Sequence, residues 1–351
     1  MERIYSIHDV LMFKIVGGKL FSPINSLNVE YENFRVEEKK VTPTSLEIYL
    51  GSFKPKLSGC YFLDGRYYIC EDYFYCEDFY KVIKWKFEMS GFEGWNVKAR
   101  LHVNILGWSF ISGFIVDQLT GYLLNKIGYP LIHGSCVGKN NRAYIFTGQG
   151  GSGKTTIALS LVEKGYNFLG DNFIILHNNY ALNFLSPLNL FYFNLLPTVK
   201  ERMKVKSKVE FYFKRLLHKT AGIKIATKIN VSDIFPDLIQ RKSKLYAIFL
   251  LLPRKHFNSF NMERIDKKEL IEHLVMNQKI DSTPFFKYML EYSCVFPGSC
   301  MATHWTRYRE NLEKAIKDDV LIFRVEMPDD TLKASSKIAK VIENGAILQY
   351  S

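Results

Sequence analysis

The chain lacks any C-x-x-C pair. Its six cysteines are Cys60, Cys70, Cys76, Cys136, Cys294 and Cys300, and two pairs are spaced C-x₅-C, which is not a usual zinc spacing. Free buried thiols are therefore the expectation, and a disulfide framework is not. Long apolar runs are also missing. The longest uncharged apolar stretch, Val103 to Val116, ends at Asp117 and is too short to span a bilayer. The opening MERIYSIHDV carries Glu2 and Asp9 and has no apolar h-region, so a secretory signal is not expected. These absences point to a cytoplasmic protein with no membrane span. No internal repeat, low-complexity tract or RNA-binding module signature is found, which excludes solenoids and disordered arrays.

What remains is a chain of 351 residues with Phe 27 and Tyr 21, enough apolar content for one large or two ordinary domains. The first hundred residues read as β-rich. Asp64-Gly65 between Cys60–Leu63 and Arg66–Cys70 predicts a hairpin. Ile83, Trp85, Phe87 and Met89 alternate with polar residues, as do Val97, Ala99, Leu101, Val103 and Ile105. The period then changes. Phe110, Ile111, Phe114, Ile115, Leu119, Leu123 and Ile127 recur at helical spacing, so the domain boundary is placed near 105 (1–105 and 106–351). Leu245 to Leu252 reads as a central strand, 264–318 as mostly helical, and Val320–Val325 as a last strand before a helix from about 330 to 344. The class is α/β (α+β).

Net charge is +12 and unevenly placed. From Lys200 to Lys228 ten Lys/Arg face only Glu201 and Glu210. Such a segment suits an acidic protein, an RNA or a bound nucleotide, and a plain solvated helix face remains the open alternative.

The chemistry concentrates at Gly148-Gln149-Gly150-Gly151-Ser152-Gly153-Lys154-Thr155, a G-x-x-x-x-G-K-T phosphate-binding loop. Arg142–Thr147 predicts the strand entering it. Thr156–Lys164 predicts the helix leaving it, with Ile157, Ala158, Leu161 and Val162 on one face and Gly165 as its stop. Gly148, Gly150, Gly151, Ser152, Gly153, Lys154, Thr155 and Thr156 are the candidate nucleotide-binding residues. Backbone N–H groups would cradle a triphosphate, Lys154 would reach its β- and γ-phosphates, and the Thr155 hydroxyl would bind Mg²⁺. A P-loop enzyme also needs a carboxylate. The strand 245–252 ends in Pro253 and Arg254, so the acid in a suitable position is Asp171, candidate base and metal ligand. A turn or capping role is the alternative for Asp171.

The stretch LIHGSCVGKNNRAYIFTGQGGSGKTTIALSLVEKGYNFLGDN (131–172) resembles the catalytic domain of HPr kinase/phosphorylase and related serine kinases. That resemblance implies a β-rich P-loop domain, similar to the nucleotide domain of phosphoenolpyruvate carboxykinase, behind a β-rich N-terminal domain. It implies ATP and Mg²⁺ as cofactors, Asp171 as base, Lys154 and Thr155 on triphosphate and metal, and His133 beside the phosphates. A buried core histidine is the alternative for His133. The resemblance further implies a protein-serine or small-molecule hydroxyl as acceptor, and self-assembly. Two departures stand out. The second acid of the family's Asp-Asp pair is Asn172, and residues 177–199 lack the family's E-x-R-G-x-G stretch. The leading reading is an ATP- and Mg²⁺-dependent kinase acting on an alcohol hydroxyl, with HPr itself not the expected substrate. A nucleotide-dependent binding protein and an RNA-hydroxyl kinase are the competing readings.

Overall fold

The computed structural model describes residues 2–17, 24–37, 44–107, 115–191, 195–221, 226–256, 259–328 and 331–343. Packing divides the chain into Met1–Tyr129 with Lys279–Tyr308, and Pro130–Gln278 with Arg309–Ser351. The division expected near 105 therefore falls elsewhere. The Asp117–Lys126 helix and the distant segment 279–308 both group with the N-terminal strands.

The first unit is built on one sheet. Its strands are β1 (Glu2–Ile7), β2 (Leu11–Gly17), β3 (Arg35–Val36), β4 (Thr44–Leu50), β5 (Tyr61–Leu63), β6 (Tyr67–Cys70), β7 (Tyr73–Tyr80), β8 (Ile83–Ser90) and β9 (Asn96–Val103). They lie in the order β3-β1-β2-β4-β9-β8-β7-β6-β5, with parallel pairs only at β2–β4 and β4–β9. The alternation in β8 and β9 buries Trp85, Phe87, Met89, Val97, Ala99, Leu101 and Val103, as period-two patterning requires. The Thr283–Val295 helix joins this unit because Phe285, Tyr288 and Tyr292 form an aromatic face. Tyr288 lies against Phe74 and Phe87 and accepts a hydrogen bond from Trp85 Nε1 at 2.9 Å. Local sequence could assign that segment a helix, but not the sheet it would cover. The proposed helical residues 110, 111 and 114 lie outside the described residues.

The hairpin forms as expected, with Asp64 and Gly65 both at positive φ. Its register pairs Tyr61 with Ile69, which sets Cys60 opposite Cys70 at a Cα separation of 4.7 Å, and the two are joined in a disulfide. This corrects the expectation of free thiols for that pair. Spacing along the chain says nothing about partners across a hairpin; the strand register does. Cys76 and Cys136 are buried thiols as expected, and burial pushes both well above the ordinary thiol range, away from thiolate chemistry.

In the second unit the strands are β10 (Leu131–Lys139), β11 (Arg142–Thr147), β12 (Asn167–Gly170), β13 (Phe173–His177), β14 (Tyr180–Leu182), β15 (Leu188–Leu190), β16 (Thr227–Ile229), β17 (Lys242–Arg254), β18 (Asn261–Arg264) and β19 (Leu321–Pro328). The main sheet runs β11-β10-β13-β14-β17-β19-β18, and β11 also pairs with β17, so five strands close on themselves. The β11–β17 and β17–β19 pairs are parallel, while β10 pairs antiparallel with β11, β12 and β13. This is a mixed sheet of an α/β unit. The continuous apolar run of β17 is explained by its burial: Leu245, Ala247, Ile248, Phe249, Leu250 and Leu251 are all in the core. Phe249 stacks between Phe146 and Phe323 at 5.3 and 5.6 Å. The Lys154–Val162 helix buries Ile157, Ala158, Leu161 and Val162 in the same cluster as Ala334, Ile338 and Ile342 of the Thr331–Glu343 helix. Among the described residues no helix is long and apolar enough to cross a membrane.

One buried carboxylate in the first unit carries a pH signature. Tyr31 donates a hydrogen bond to Asp117 in the first turn of its helix. Burial outweighs that bond and pushes Asp117 from 3.8 up to about 7. The folded chain then keeps a proton that the unfolded chain releases near 3.8, so folding becomes less favourable as pH rises between those values. Asp117→Asn keeps an acceptor for Tyr31 and removes the titration. Denaturant unfolding should show wild type losing stability relative to this variant from about pH 4 to about 7 and staying level above. Parallel pH profiles would contradict the assignment.

Candidate active site

The antiparallel register of β10 and β11 sets Gly134 opposite Thr147 and Ser135 opposite Phe146. Both the HGS segment and the phosphate loop thus meet at one end of the sheet. The loop itself needs unusual backbone. Gly148, Gly151 and Gly153 have φ of 144°, 81° and 88°, a region that residues with a Cβ rarely enter. Gly153 stands as the N-cap of the Lys154–Val162 helix, so that helix starts immediately after the loop. A methyl group at Gly148 would lie 2.6 Å from the Leu251 carbonyl oxygen and 3.0 Å from Ser152 Oγ.

Lys154 is buried and folds back over the loop. Its ammonium donates to the carbonyls of Gly148 at 2.7 Å and Gln149 at 2.9 Å. Ser152 is buried too, and its Oγ has no hydrogen-bond partner among the described residues. An orphaned buried hydroxyl is costly unless something else satisfies it. Gln149 Nε2 donates to Asn277 Oδ1 at 2.6 Å, tying the loop to the Lys267–Asp281 helix. Thr156 is buried behind the loop in the first turn.

Asp171 comes to the loop from the other side. It is buried, in the turn between β12 and β13. Thr155 Oγ1 donates to its carboxylate, 2.9 Å from each oxygen, and the Ser135 hydroxyl donates to Oδ1. The turn is pinned on both sides: Ser186 Oγ donates to the Asp171 carbonyl at 2.8 Å, and the Gly134 amide donates to the Asn172 carbonyl at 3.1 Å. Asn172 has φ of 72°. That left-handed geometry explains a short amide or acid side chain at this position on conformational grounds alone.

The structure therefore brings Lys154, Thr155 and Asp171 together as the spacing requires. His133 shares the strand face of Ser135, two residues away. Its backbone carbonyl accepts from Thr147 Oγ1 at 2.8 Å, and its ring meets Phe173 edge-on at 6.1 Å. Three contributors escaped the sequence reading. Ser135 sits inside the quoted HGS motif, where alternation with His133 was the available signal. Asn277 and Ser186 gave none, since only the fold brings them to the site.

The donor set fits Mg²⁺. It consists of hard oxygen groups, the Thr155 hydroxyl and the Asp171 carboxylate, and Mg²⁺ commonly takes one or two protein ligands beside phosphate oxygens and water. Among the described residues there is no cluster of three or more His, Cys, Asp or Glu placed to hold a metal without such help. The neighbouring strand offers no rival acid. β17 runs parallel to β11, with Thr147 beside Leu250, and continues as Leu251, Leu252, Pro253 and Arg254. Arg254 pairs with Glu326 at 3.1 Å.

No protein-family model matches the chain. Among curated proteins, a 67-residue stretch is 34% identical to the HPr kinase/phosphorylase of Pelodictyon phaeoclathratiforme (strain DSM 5477 / BU-1). The match supports an HPr-kinase-like family. It spans 19% of this chain and only 18% of that relative's length. A solved HPr(Ser) kinase/phosphatase from Coxiella burnetii aligns with 63% of this chain and 99% of its own. At 12% identity and a TM-score of 0.29, that alignment is too weak to carry an argument.

The strained loop backbone makes a structural prediction at Gly148. Gly148→Ala should lower unfolding stability by roughly 1–3 kcal/mol, because strained φ and the Leu251 carbonyl both oppose a Cβ. Chemical denaturation measures this, and an unchanged midpoint would mean the loop backbone is not held as described.

Proposed function

We propose that this chain is a kinase that transfers the γ-phosphoryl group of ATP to an alcohol hydroxyl, with Mg²⁺ as cofactor. The observation that carries this reading is the buried Asp171 carboxylate at hydrogen-bond distance from Thr155, the residue after the loop lysine. Gly148 to Thr156 would bind the triphosphate through backbone N–H groups and the start of the Lys154–Val162 helix. The Gly148 and Gln149 carbonyls that now receive the Lys154 ammonium would yield it to phosphate oxygens, and the Ser152 hydroxyl would gain a partner. Thr155 and Asp171 would hold Mg²⁺, which when bound offsets negative charge on the phosphates.

Asp171 would also take the proton of the acceptor hydroxyl as the new O–P bond forms and the bond to ADP breaks. Ser135 would fix the orientation of that carboxylate, and His133, on the same strand face, would border the phosphates. The acceptor class proposed is a protein serine or a small-molecule alcohol, and the compartment proposed is the cytoplasm. One observation favours a second reading. Asn172 replaces an acid and its backbone alone accounts for the residue type, so a nucleotide-dependent binding protein without phosphotransfer is the alternative.

The test is transfer from γ-labelled ATP with Mg²⁺ into cell extract separated into protein, RNA and small molecules. Wild type should label one fraction. Asp171→Ala should lower labelling by roughly 10²–10⁴-fold while keeping nucleotide binding, and Lys154→Ala should weaken both. Binding that depends on Lys154 with no label in any fraction would sink the kinase reading in favour of the second.

A further inference from the structure

The basic segment singled out in the sequence folds into a helix, Val205–Ala221, with two opposed faces. Its inner side is anchored by Phe211, which is 4% exposed and belongs to the core of the second unit. Its outer side is apolar yet open to solvent. Val205, Val209, Tyr212, Phe213 and Leu216 are 78%, 65%, 44%, 59% and 57% exposed. At helical spacing these five side chains fall within an arc of roughly 100°. Lys206 stands on one flank of that arc, and Lys208, Arg215 and Lys219 on the other. Lys214 is turned inward, bonded to Glu210 and to the Ala226 carbonyl. Thus the helix's acidic residue Glu210 already has a cation partner, and the flanking cations give the outer face a net positive field.

We infer that this helix face is a docking surface for an anionic lipid membrane, lying in the interface with Val205, Val209, Tyr212, Phe213 and Leu216 inserted and the flanking cations at the headgroups. Four features of the face select that occupant. An exposed apolar stripe edged by Lys and Arg is the pattern of interfacial helices, whose long cationic side chains reach headgroups while the stripe enters the acyl boundary. The inner side of the helix is already committed to the core through Phe211, so a partner that wraps a helix in a groove has no access to it, whereas a flat interface needs only the outer arc. A second copy would set one cationic flank against another, which like-charge repulsion opposes. Nucleic acid would use the cations but gain little from Val205, Val209 and Leu216, since aliphatic side chains neither neutralise phosphate nor stack on bases. The helix is about 25 Å long, and the surface rests on it independently of whether the enzyme reading holds.

Vesicle co-sedimentation of the full chain tests the inference. The probes are phosphatidylcholine vesicles alone and the same vesicles with about 30% phosphatidylserine. Wild type should bind the anionic vesicles, weakly or not at all the neutral ones, and should be released by roughly 0.5 M salt in part. Phe213→Glu with Leu216→Glu should cut anionic-vesicle binding by at least about tenfold. Both side chains are exposed, so thermal unfolding should be unchanged and separates lost docking from lost folding. Lys206→Gln with Lys208→Gln and Lys219→Gln should give a comparable loss without touching the apolar stripe. Wild-type indifference to anionic vesicles overturns the inference. So does binding that survives Phe213→Glu with Leu216→Glu, or tight binding of an RNA oligomer or acidic peptide by a chain that ignores lipid.

Discussion

A buried carboxylate accepting hydroxyl hydrogens from two other segments organises the second unit of this protein. Asp171 lies in the turn after β12, Thr155 opens the helix after the phosphate loop, and Ser135 lies on β10. Three separate stretches must arrive at one point for those bonds to form. Burying the charge without them would be costly, since a carboxylate removed from water needs donors on its oxygens. The antiparallel β10–β11 pair and the β10–β12 pair deliver two of the three stretches, and the helix start delivers the third. The same bonds that satisfy Asp171 place an acid beside a phosphate loop.

The sheet around this point explains why the acid arrives by that route. In a wholly parallel P-loop sheet the neighbouring strand ends in the acid. Here the neighbour, β17, is parallel to β11 but ends in Leu251, Leu252, Pro253 and Arg254, and its Leu251 carbonyl packs against the loop at Gly148. The antiparallel strands on the other side of β11 carry the carboxylate instead. Mixed topology is thus the structural counterpart of the displaced acid.

Much of this was legible in sequence, for physical reasons that differ by element. Arg142–Thr147 and the Gly-rich loop were readable because both depend on local constraints, a run of apolar residues and glycines with φ that other residues avoid. The position of Asp171 beside the loop was legible because the motif calls for an acid nearby and few positions offer one. The hairpin turn at Asp64-Gly65 was local as well. What escaped depends on contacts far apart in the chain. Tyr288 belongs with Phe74 and Trp85, so the segment 279–308 joins the first unit, and no window of sequence records that. The Cys60–Cys70 bond follows from hairpin register rather than cysteine spacing. Asn277 and Ser186 reach the site only through folding. Charge alone left 200–228 ambiguous; the apolar stripe became visible once burial showed which side of the helix faces the core.

In the proposed kinase the loop lysine and the buried acid would form a site for Mg²⁺ and ATP, with the Gly148 and Gln149 carbonyls holding Lys154 until phosphate replaces them. A crystal structure with Mg²⁺ and a non-hydrolysable ATP analogue tests it most directly. The account predicts triphosphate along Gly148–Thr156, Lys154 moved from the two carbonyls onto phosphate oxygens, and Mg²⁺ at Thr155 and Asp171. Nucleotide bound elsewhere, or Lys154 still on the Gly148 and Gln149 carbonyls with the loop occupied, would contradict it.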